Sequence, residues 1–472
     1  MGSCYTDRQY PDVINPASTG SDLRTDEEMK RFRLYIGKRA ACLFVFLCLA
    51  LVFMAGSAWS QEYTSVERAQ VQEMLRDVAN DIKNHYYDPS LHGLDWNAQV
   101  RETEEKIARA KTLNAALAEI ATLLDSLNDS HTYILPPLRP YVHDYGFHVQ
   151  MIGDRCYVVH VRPGSDAEAR GLRSGDEVVS IDGYTPARVD YWKMHYLFWM
   201  LQPQMSLRLE IRKPSGIETG VDVEAKVRQL RPLREFTKAK FDIIREEEAQ
   251  ADSLRPRFAE IGNDLLIVKI PKFLPPPSHF DSVIRRMRNQ SAVILDLRGN
   301  PGGSEEALTS LLGALFENKI TIGEKIGRGT IKPFETQPQR HPFTGRLAVV
   351  IDGESGSASE ILARVVQIQK RGLVIGDRSS GKVMEALRYG HMVGSKGSFT
   401  LFEDYVTDAD IRMTDGQSLE GKGVIPDELI LPDASDLENS RDPVLAKAAE
   451  LLNVKMNAEQ AGELFPYEWP KD

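Results

Sequence analysis

Apolar residues first recur at helical spacing. Between residues 62 and 128 the chain reads as helical, and Leu113, Leu117, Ile120, Leu123, Leu124 and Leu127 fall on one side of such a helix. Tyr86-Tyr87-Asp88-Pro89 closes an earlier helix, because the residue before a proline is pushed out of the α region. This region predicts a small helical bundle, or a cap on something larger. Around residue 145 the period changes from helical to alternating. Phe147 and Val149 alternate with polar residues, 157–161 reads as a second strand, and 167–172 as a short helical turn ended by glycine. Residues 177–182 form a strand running into an Asp-Gly turn, and 207–211 another strand. Segment 215–255 is charged, includes Glu246-Glu247-Glu248, and reads as a helix-rich connector. From 258 to 430 apolar strands (265–270, 292–297, 347–352, 373–376) alternate with helices (280–287, 305–316, 359–369). Strongly apolar strands, the first interrupted only by Lys269, alternating with helices predict a largely parallel sheet covered on both faces. A last helix, 442–452, has Pro443 in its first turn and packs one side back on the core.

Ligands of such sheets sit beyond the carboxyl ends of the strands. Two segments fall there, Asn300-Pro301-Gly302-Gly303 and 353–357. Ser357 stands between a strand and a helix, with Gly353 and Gly356 before it. The amide of Ala358 at the helix start, and those of Gly302 or Gly303, are candidate donors to an oxyanion. A helix cap is the plainer role for Ser357 alone, but a cap requires neither the glycine pair nor a base. Two bases are available. Lys382, 25 residues on, needs burial to be neutral near pH 7, and Val383 and Met384 supply apolar neighbours. His131, in Leu127-Asn128-Asp129-Ser130-His131-Thr132, has an ordinary pKa that already suits the task. The bland alternatives are a solvated surface lysine or a partner for Asp377, and a loop histidine making structural hydrogen bonds.

A chain of 472 residues implies two or three domains, and 42% apolar residues suffice for substantial cores. A net charge of −10 argues against nucleic acid as a partner. Residues 29–58 read as an export signal. Met29-Lys30-Arg31-Phe32-Arg33 and Lys38-Arg39 are basic, 40–55 is apolar, and Gly56 and Ala58 precede a cut before Trp59. The apolar run of about 16 residues is short of the ~20 a membrane span needs, which favours a cleaved signal over an anchor through residues 40–58. The destination is then the periplasm or the exterior. Residues 1–28 are explained by a true start at Met29, or by a cytoplasmic tail on a retained anchor. Cys4, Cys42 and Cys48 lie in or before this leader, so Cys156 has no disulfide partner after it and reads as a buried strand thiol. No metal-binding, phosphate-binding or dinucleotide motif occurs, and no cofactor is expected.

Two resemblances organise these observations. Tyr145-Gly146-Phe147-His148, Pro163-Gly164-Ser165-Asp166-Ala167-Glu168-Ala169-Arg170-Gly171-Leu172 and Arg173-Ser174-Gly175-Asp176-Glu177 onward resemble a PDZ domain. That implies capture of C-terminal peptides by strand addition, with Tyr145, Gly146, Phe147 and His148 cradling the carboxylate; a degenerate PDZ serving as a spacer or lid is the alternative. Residues 62–452 resemble the S41 serine peptidases, the C-terminal processing (tail-specific) and tricorn-core proteases. The marks are Asp129-Ser130-His131-Thr132, Asp296-Leu297-Arg298-Gly299-Asn300-Pro301-Gly302-Gly303, Ser357-Ala358-Ser359-Glu360, Gly381-Lys382 and Leu419-Glu420-Gly421-Lys422-Gly423-Val424-Ile425-Pro426-Asp427. The resemblance implies an α/β fold with a ClpP/crotonase-like core, a helical N-terminal region (59–140), an inserted PDZ domain (141–215), a connector (216–255), a catalytic core (256–435) and a helical tail (436–472).

The same resemblance makes Ser357 the nucleophile. In the processing branch the base falls on Lys382; that branch carries a glutamine four residues later, where this chain has Ala386, and a glycine where it has Val383. In the tricorn branch the base falls on His131, supported by Ser130 and Glu420. Polypeptides with free C-termini are the implied substrates. A non-catalytic peptide-binding scaffold and an esterase using the same serine are the competing functions. The helical N-terminal region and the tail are the surfaces a homodimer would use.

Overall fold

The computed structural model describes residues 63–229, 254–262, 264–395 and 398–469. The leader lies outside these residues. Among the described residues no helix is long and apolar enough to cross a membrane.

Three helices come first: α1 (Ser65–His85), α2 (Trp96–Arg109) and α3 (Leu113–Asp125). Thr64 and Glu67 cap α1 reciprocally, with Glu67 N–H donating to Thr64 Oγ1 and Thr64 N–H to Glu67 Oε2. The buried face of α1 (Val71, Met74, Leu75, Val78, Ile82) packs on Leu117, Ile120 and Leu124 of α3. Short strands β1 (Tyr133–Leu135) and β2 (Tyr141–Asp144) lead into an antiparallel insert. It contains β3 (Phe147–Ile152), β4 (Arg155–Val161), helix α4 (Asp166–Ala169), β5 (Glu177–Ile181), helix α5 (Tyr191–His195), β6 (Ser206–Arg212) and β7 (Glu218–Glu224), with the strands in sequential order. β8 (Lys226–Gln229) then pairs with β2, so a two-stranded stem closes the insert.

This corrects the connector expected over 216–255. Residues 218–229 are strands, and the insert runs past 215. The alternation Val221, Val223 against exposed neighbours carried that signal, and the surrounding charge masked it. The remainder of the expected connector, including Glu246-Glu247-Glu248, lies outside the described residues.

The core follows: β9 (Arg257–Ile261), β10 (Leu265–Lys269), α6 (Asp281–Met287), β11 (Ala292–Asp296), α7 (Glu305–Gly313), β12 (Thr321–Gly327), β13 (Thr330–Glu335), β14 (Arg346–Ile351), α8 (Ala358–Ile368) and β15 (Leu373–Gly376). A long hairpin, β16 (Met384–Ser395) and β17 (Ser398–Met413), precedes β18 (Glu428–Leu429) and the tail helices α9 (Ala434–Glu438), α10 (Pro443–Leu451) and α11 (Ala458–Gly462). The main sheet has the order β18-β15-β14-β11-β10-β9, parallel except for β9. Leu266, Val268, Val293 and Val349 face α6, α7 and α8, whereas Leu265, Ile267, Ile294 and Val350 face Val444, Leu445, Ala448 and Ala449 of α10. Both faces are therefore covered, which is why β10, β11 and β14 are apolar apart from a charged residue at one end. A second sheet, β1-β17-β12-β13 with β16 on β17, is not foreshadowed by the sequence pattern. Its hairpin carries Val393, Phe402 and Val406 into the α1–α3 core.

Candidate active site

The carboxyl ends of β11 and β14 deliver two loops to one place. Fully buried Asn300 holds them together. Its side-chain amide donates to Ile270 O (2.8 Å), and its carbonyl accepts Gly356 N–H (2.9 Å) and Ser359 Oγ–H (3.0 Å). Ser357 sits at the turn into α8 with φ +52° and ψ −116°. A non-glycine residue held there stores roughly 1–3 kcal/mol of strain. The turn aims its side chain away from capping, and its hydroxyl makes no cap bond. Instead Glu360 N–H donates to the Ser357 carbonyl (3.0 Å). The hydroxyl is half-buried and left for other chemistry. A β-carbon on Gly302 would lie 2.6 Å from Ser357 Cβ, so the glycine is required by close approach.

Buried Glu360 fixes the backbone around the serine. It accepts Ser357 N–H (3.0 Å), Gly381 N–H (2.8 Å), Lys382 N–H (2.9 Å) and the hydroxyls of Ser379 (2.6 Å) and Ser380 (3.2 Å). Burial raises its pKa, and these donors hold the rise back. Sequence reasoning quoted Glu360 without a role; the Ser-x-x-Glu spacing at a helix start was the available signal.

The candidate bases occupy different settings. His131 Nδ1 lies 2.8 Å from Ser130 Oγ, which donates to Glu420 Oε2 at 3.0 Å; Ser130 N–H donates to Glu420 Oε1 at 2.8 Å. Asp129 folds the preceding turn by accepting His131 N–H (2.9 Å), Thr132 N–H (2.7 Å) and Thr407 Oγ1–H (2.9 Å). Burial lowers the His131 pKa to about 4, a fall that Asp129 opposes and Lys382 deepens. Burial pushes Glu420 up to about 7 against its backbone and hydroxyl donors. One peptide unit ties this array to the serine. The Lys382 carbonyl accepts Ser357 N–H (2.8 Å), and the adjoining Val383 N–H donates to Glu420 Oε2 (2.8 Å). The serine amide and the Glu420 carboxylate are thus no more than about 8 Å apart.

Lys382 is lowered to about 8 by burial, with Glu360, Glu420 and Glu354 pulling the other way. Its ammonium lies 4.9 Å from the centre of the Trp192 ring, contributed by α5 of the insert. Among the described residues no carboxylate comes within 4.0 Å of it, and the alternative pairing with Asp377 does not form: Asp377 is clamped by Arg188 of the insert.

Two expectations need correction. Gly302 N–H is not an oxyanion donor, because it donates to Asn300 Oδ1 (2.8 Å). Gly303 and Ala358 N–H have no acceptor among the described residues, and Gly303 is exposed. In the insert, Gly146 N–H is occupied by Asp144 Oδ1 (2.9 Å), so it is not available to cradle a carboxylate. Tyr145 and Phe147 are buried in the insert's core, and His148 reaches Glu354 in the loop before Ser357 (3.3 Å). Cys156 is buried in β4, where desolvation raises its thiol pKa.

Comparison with known proteins bears on this geometry. Residues 264–430 match the model of Peptidase family S41, and residues 67–120 match that of the Tricorn protease C1 domain. Carboxyl-terminal-processing peptidase 3, chloroplastic, of Arabidopsis thaliana is 25% identical over 374 residues, covering 74% of this chain and 70% of that protein. The tail-specific protease of Haemophilus influenzae is 26% identical over 245 residues, covering half of this chain and 33% of that protein. Among solved structures, mature CPAF complexed with lactacystin superposes with a TM-score of 0.59 at 16% identity, covering 82% of this chain and 98% of that one. The last is a likeness of fold.

Proposed function

Because the chain belongs to peptidase family S41 and is a serine-type peptidase, we propose that it is an endopeptidase in which Ser357 attacks a peptide carbonyl with His131 as its base. The observation that carries this reading is the continuous path Glu420–Ser130–His131, joined to Ser357 through the 382–383 peptide unit. With Nδ1–H donating to Ser130 Oγ and that hydroxyl donating to Glu420, His131 Nε2 is left unprotonated. It takes the Ser357 proton as the acyl-enzyme forms, returns it to the leaving amine, and then activates water. Burial favours the neutral imidazole beforehand, and Glu420 stabilises the cation once formed. The amides of Gly303 and Ala358 are the donors we assign to the oxyanion.

Lys382 is the second reading, favoured by its pKa of about 8. Against it stand Ala386, where the lysine branch carries an orienting glutamine, and an ammonium placed over Trp192. We propose polypeptides with exposed C-termini as substrates, in line with the names of the matched relatives. The insert is read as a PDZ-like peptide receptor, because β3 stands at the edge of its sheet, the position where a peptide would add as a strand. Export through residues 29–58 belongs to the same proposal.

The test is hydrolysis of an unfolded protein substrate by the purified protein and by folded Ser357→Ala, His131→Ala and Lys382→Ala. Loss in the first two with retention in the third supports His131. Loss in Lys382→Ala with retention in His131→Ala replaces it with the lysine. No cleavage of several substrates by the parent favours the non-catalytic scaffold.

A further inference from the structure

Away from the serine, α1 crosses the β16–β17 hairpin, and one imidazole meets two carboxylates there. His391 Nε2 lies 2.7 Å from Asp404 Oδ1 and 3.0 Å from Asp81 Oδ2, and one donor atom from each residue lies within 4.8 Å of the others. Asp404 is fully buried in β17. Its Oδ2 and that of Asp81 are both shielded from solvent and accept no hydrogen bond among the described residues. Buried carboxylate oxygens are ordinarily satisfied, so the unpartnered Asp404 Oδ2, beside an Asp81 Oδ2 that meets His391 as an ion pair but makes no hydrogen bond, calls for a positive partner. His391 is held in place by stacking on Phe402 with ring centroids 4.7 Å apart. Other groups of α1 add to the field: Asp77 lies close enough to interact electrostatically, and His85 Nε2 is 4.0 Å from Asp81 Oδ1.

We infer that Asp81, His391 and Asp404 form a binding site for a divalent transition-metal cation, with Zn2+ as the best-suited ion. One imidazole and two carboxylates with a fourth position for water are a donor set that zinc accepts, whereas magnesium and calcium disfavour imidazole. Donors around a tetrahedral ion at about 2.0–2.1 Å stand roughly 3.4 Å apart. From 2.7 and 3.0 Å, the two carboxylate oxygens would therefore move away from His391 Nε2 by about 0.7 and about 0.4 Å. The alternative occupant is a proton, which makes His391 a cation between two carboxylates. Metal and proton would compete for the same donor atoms. A bound ion would clamp α1 to the hairpin that begins one residue after Val383, whose amide holds Glu420. It would thereby stiffen the frame of the catalytic site from outside it.

The experiment is calorimetric titration of the purified, chelator-stripped protein at pH 7.5 with Zn2+ alone, and in parallel with Mg2+ and Ca2+, with Tm followed in each. Asp81→Asn and His391→Gln are compared, each checked for native circular dichroism. The parent is expected to bind one more Zn2+ per chain than either variant, with the variants' affinity for that ion down at least 100-fold. Its Tm should rise by several degrees with Zn2+ and not with Mg2+ or Ca2+. Equal Zn2+ uptake and equal Tm shifts in parent and variants, or no uptake by the parent, would overturn the site and leave a proton-bridged triad. Asp81 is partly exposed on a helix, so Asp81→Asn keeps the test decisive if His391→Gln does not fold.

Discussion

At Ser357 and Gly302 two backbones touch, and the consequence is testable at one atom. Gly302→Ala adds a β-carbon 2.6 Å from Ser357 Cβ at a φ of +102°. We expect at least a 100-fold loss of kcat and a stability loss of roughly 1–3 kcal/mol, read from turnover and urea unfolding; near-wild-type turnover would remove Gly302 from the site's architecture. The proton inventory gives a second expectation. His131, at about 4, is neutral over the working range, whereas Glu420, at about 7, loses its charge as pH falls through that value. The acid limb of kcat/KM should therefore lie near pH 7 in the parent and in Lys382→Ala. Glu420→Gln should be slower by about 10²–10³-fold, with its limb moved acidward toward His131's own value. A limb near 8 that vanishes with Lys382 would instead identify the lysine. The candidate nucleophile and both candidate bases were legible because each stands in a compact local motif. The occupied amides of Gly302 and Gly146 were not, since a chain of letters does not say which acceptor a backbone donor has already taken.

The loop between β15 and β16 is the element on which the site depends most. It supplies two backbone amides and two hydroxyls to Glu360, one carbonyl to Ser357 and one amide to Glu420. Replacing Glu360 by Ala leaves these donors buried without an acceptor, which costs about 1–3 kcal/mol per orphaned group before relaxation. Glu360→Ala should lower Tm by many degrees and abolish activity, while Glu360→Gln keeps part of the acceptor set and recovers part of the Tm. Equal Tm for the two variants would show that the network does not hold the loop. The strands of the parallel sheet were readable because burial on both faces makes them continuously apolar. β16 and β17 escaped because a half-exposed antiparallel hairpin mixes apolar and polar residues, and its partners β1 and β12 are distant in sequence.

Across the described residues the insert is tied to the core close to the loops that carry Ser357 and Lys382. Arg188 of the insert donates to Gly153 O and, across to the core, to Asp377 and Arg378 O; both partners of the Arg188–Asp377 pair are buried. His148 meets Glu354, and Trp192 covers Lys382. Removing one partner of a buried pair costs about 3–5 kcal/mol where the other charge stays unpaired. Arg188→Ala should therefore loosen the insert, seen as faster limited proteolysis at its β2–β8 stem and a raised KM for long substrates. Unchanged cleavage of the stem would show that the clamp is not what seats the insert. By itself the sequence determined the local grammar: the period of each segment, the glycine pair, the strand-to-helix serine, and two bases left open. Those features depend on neighbours a few residues away, or on burial so complete that it marks every position. The resemblance had named Ser130 and Glu420 together, and the fold sets their contact across 290 residues; tertiary structure alone set Trp192 over Lys382 and gathered Asp81, His391 and Asp404. Such contacts are made by topology, and no local pattern along the chain records which distant side chains will share one dry pocket.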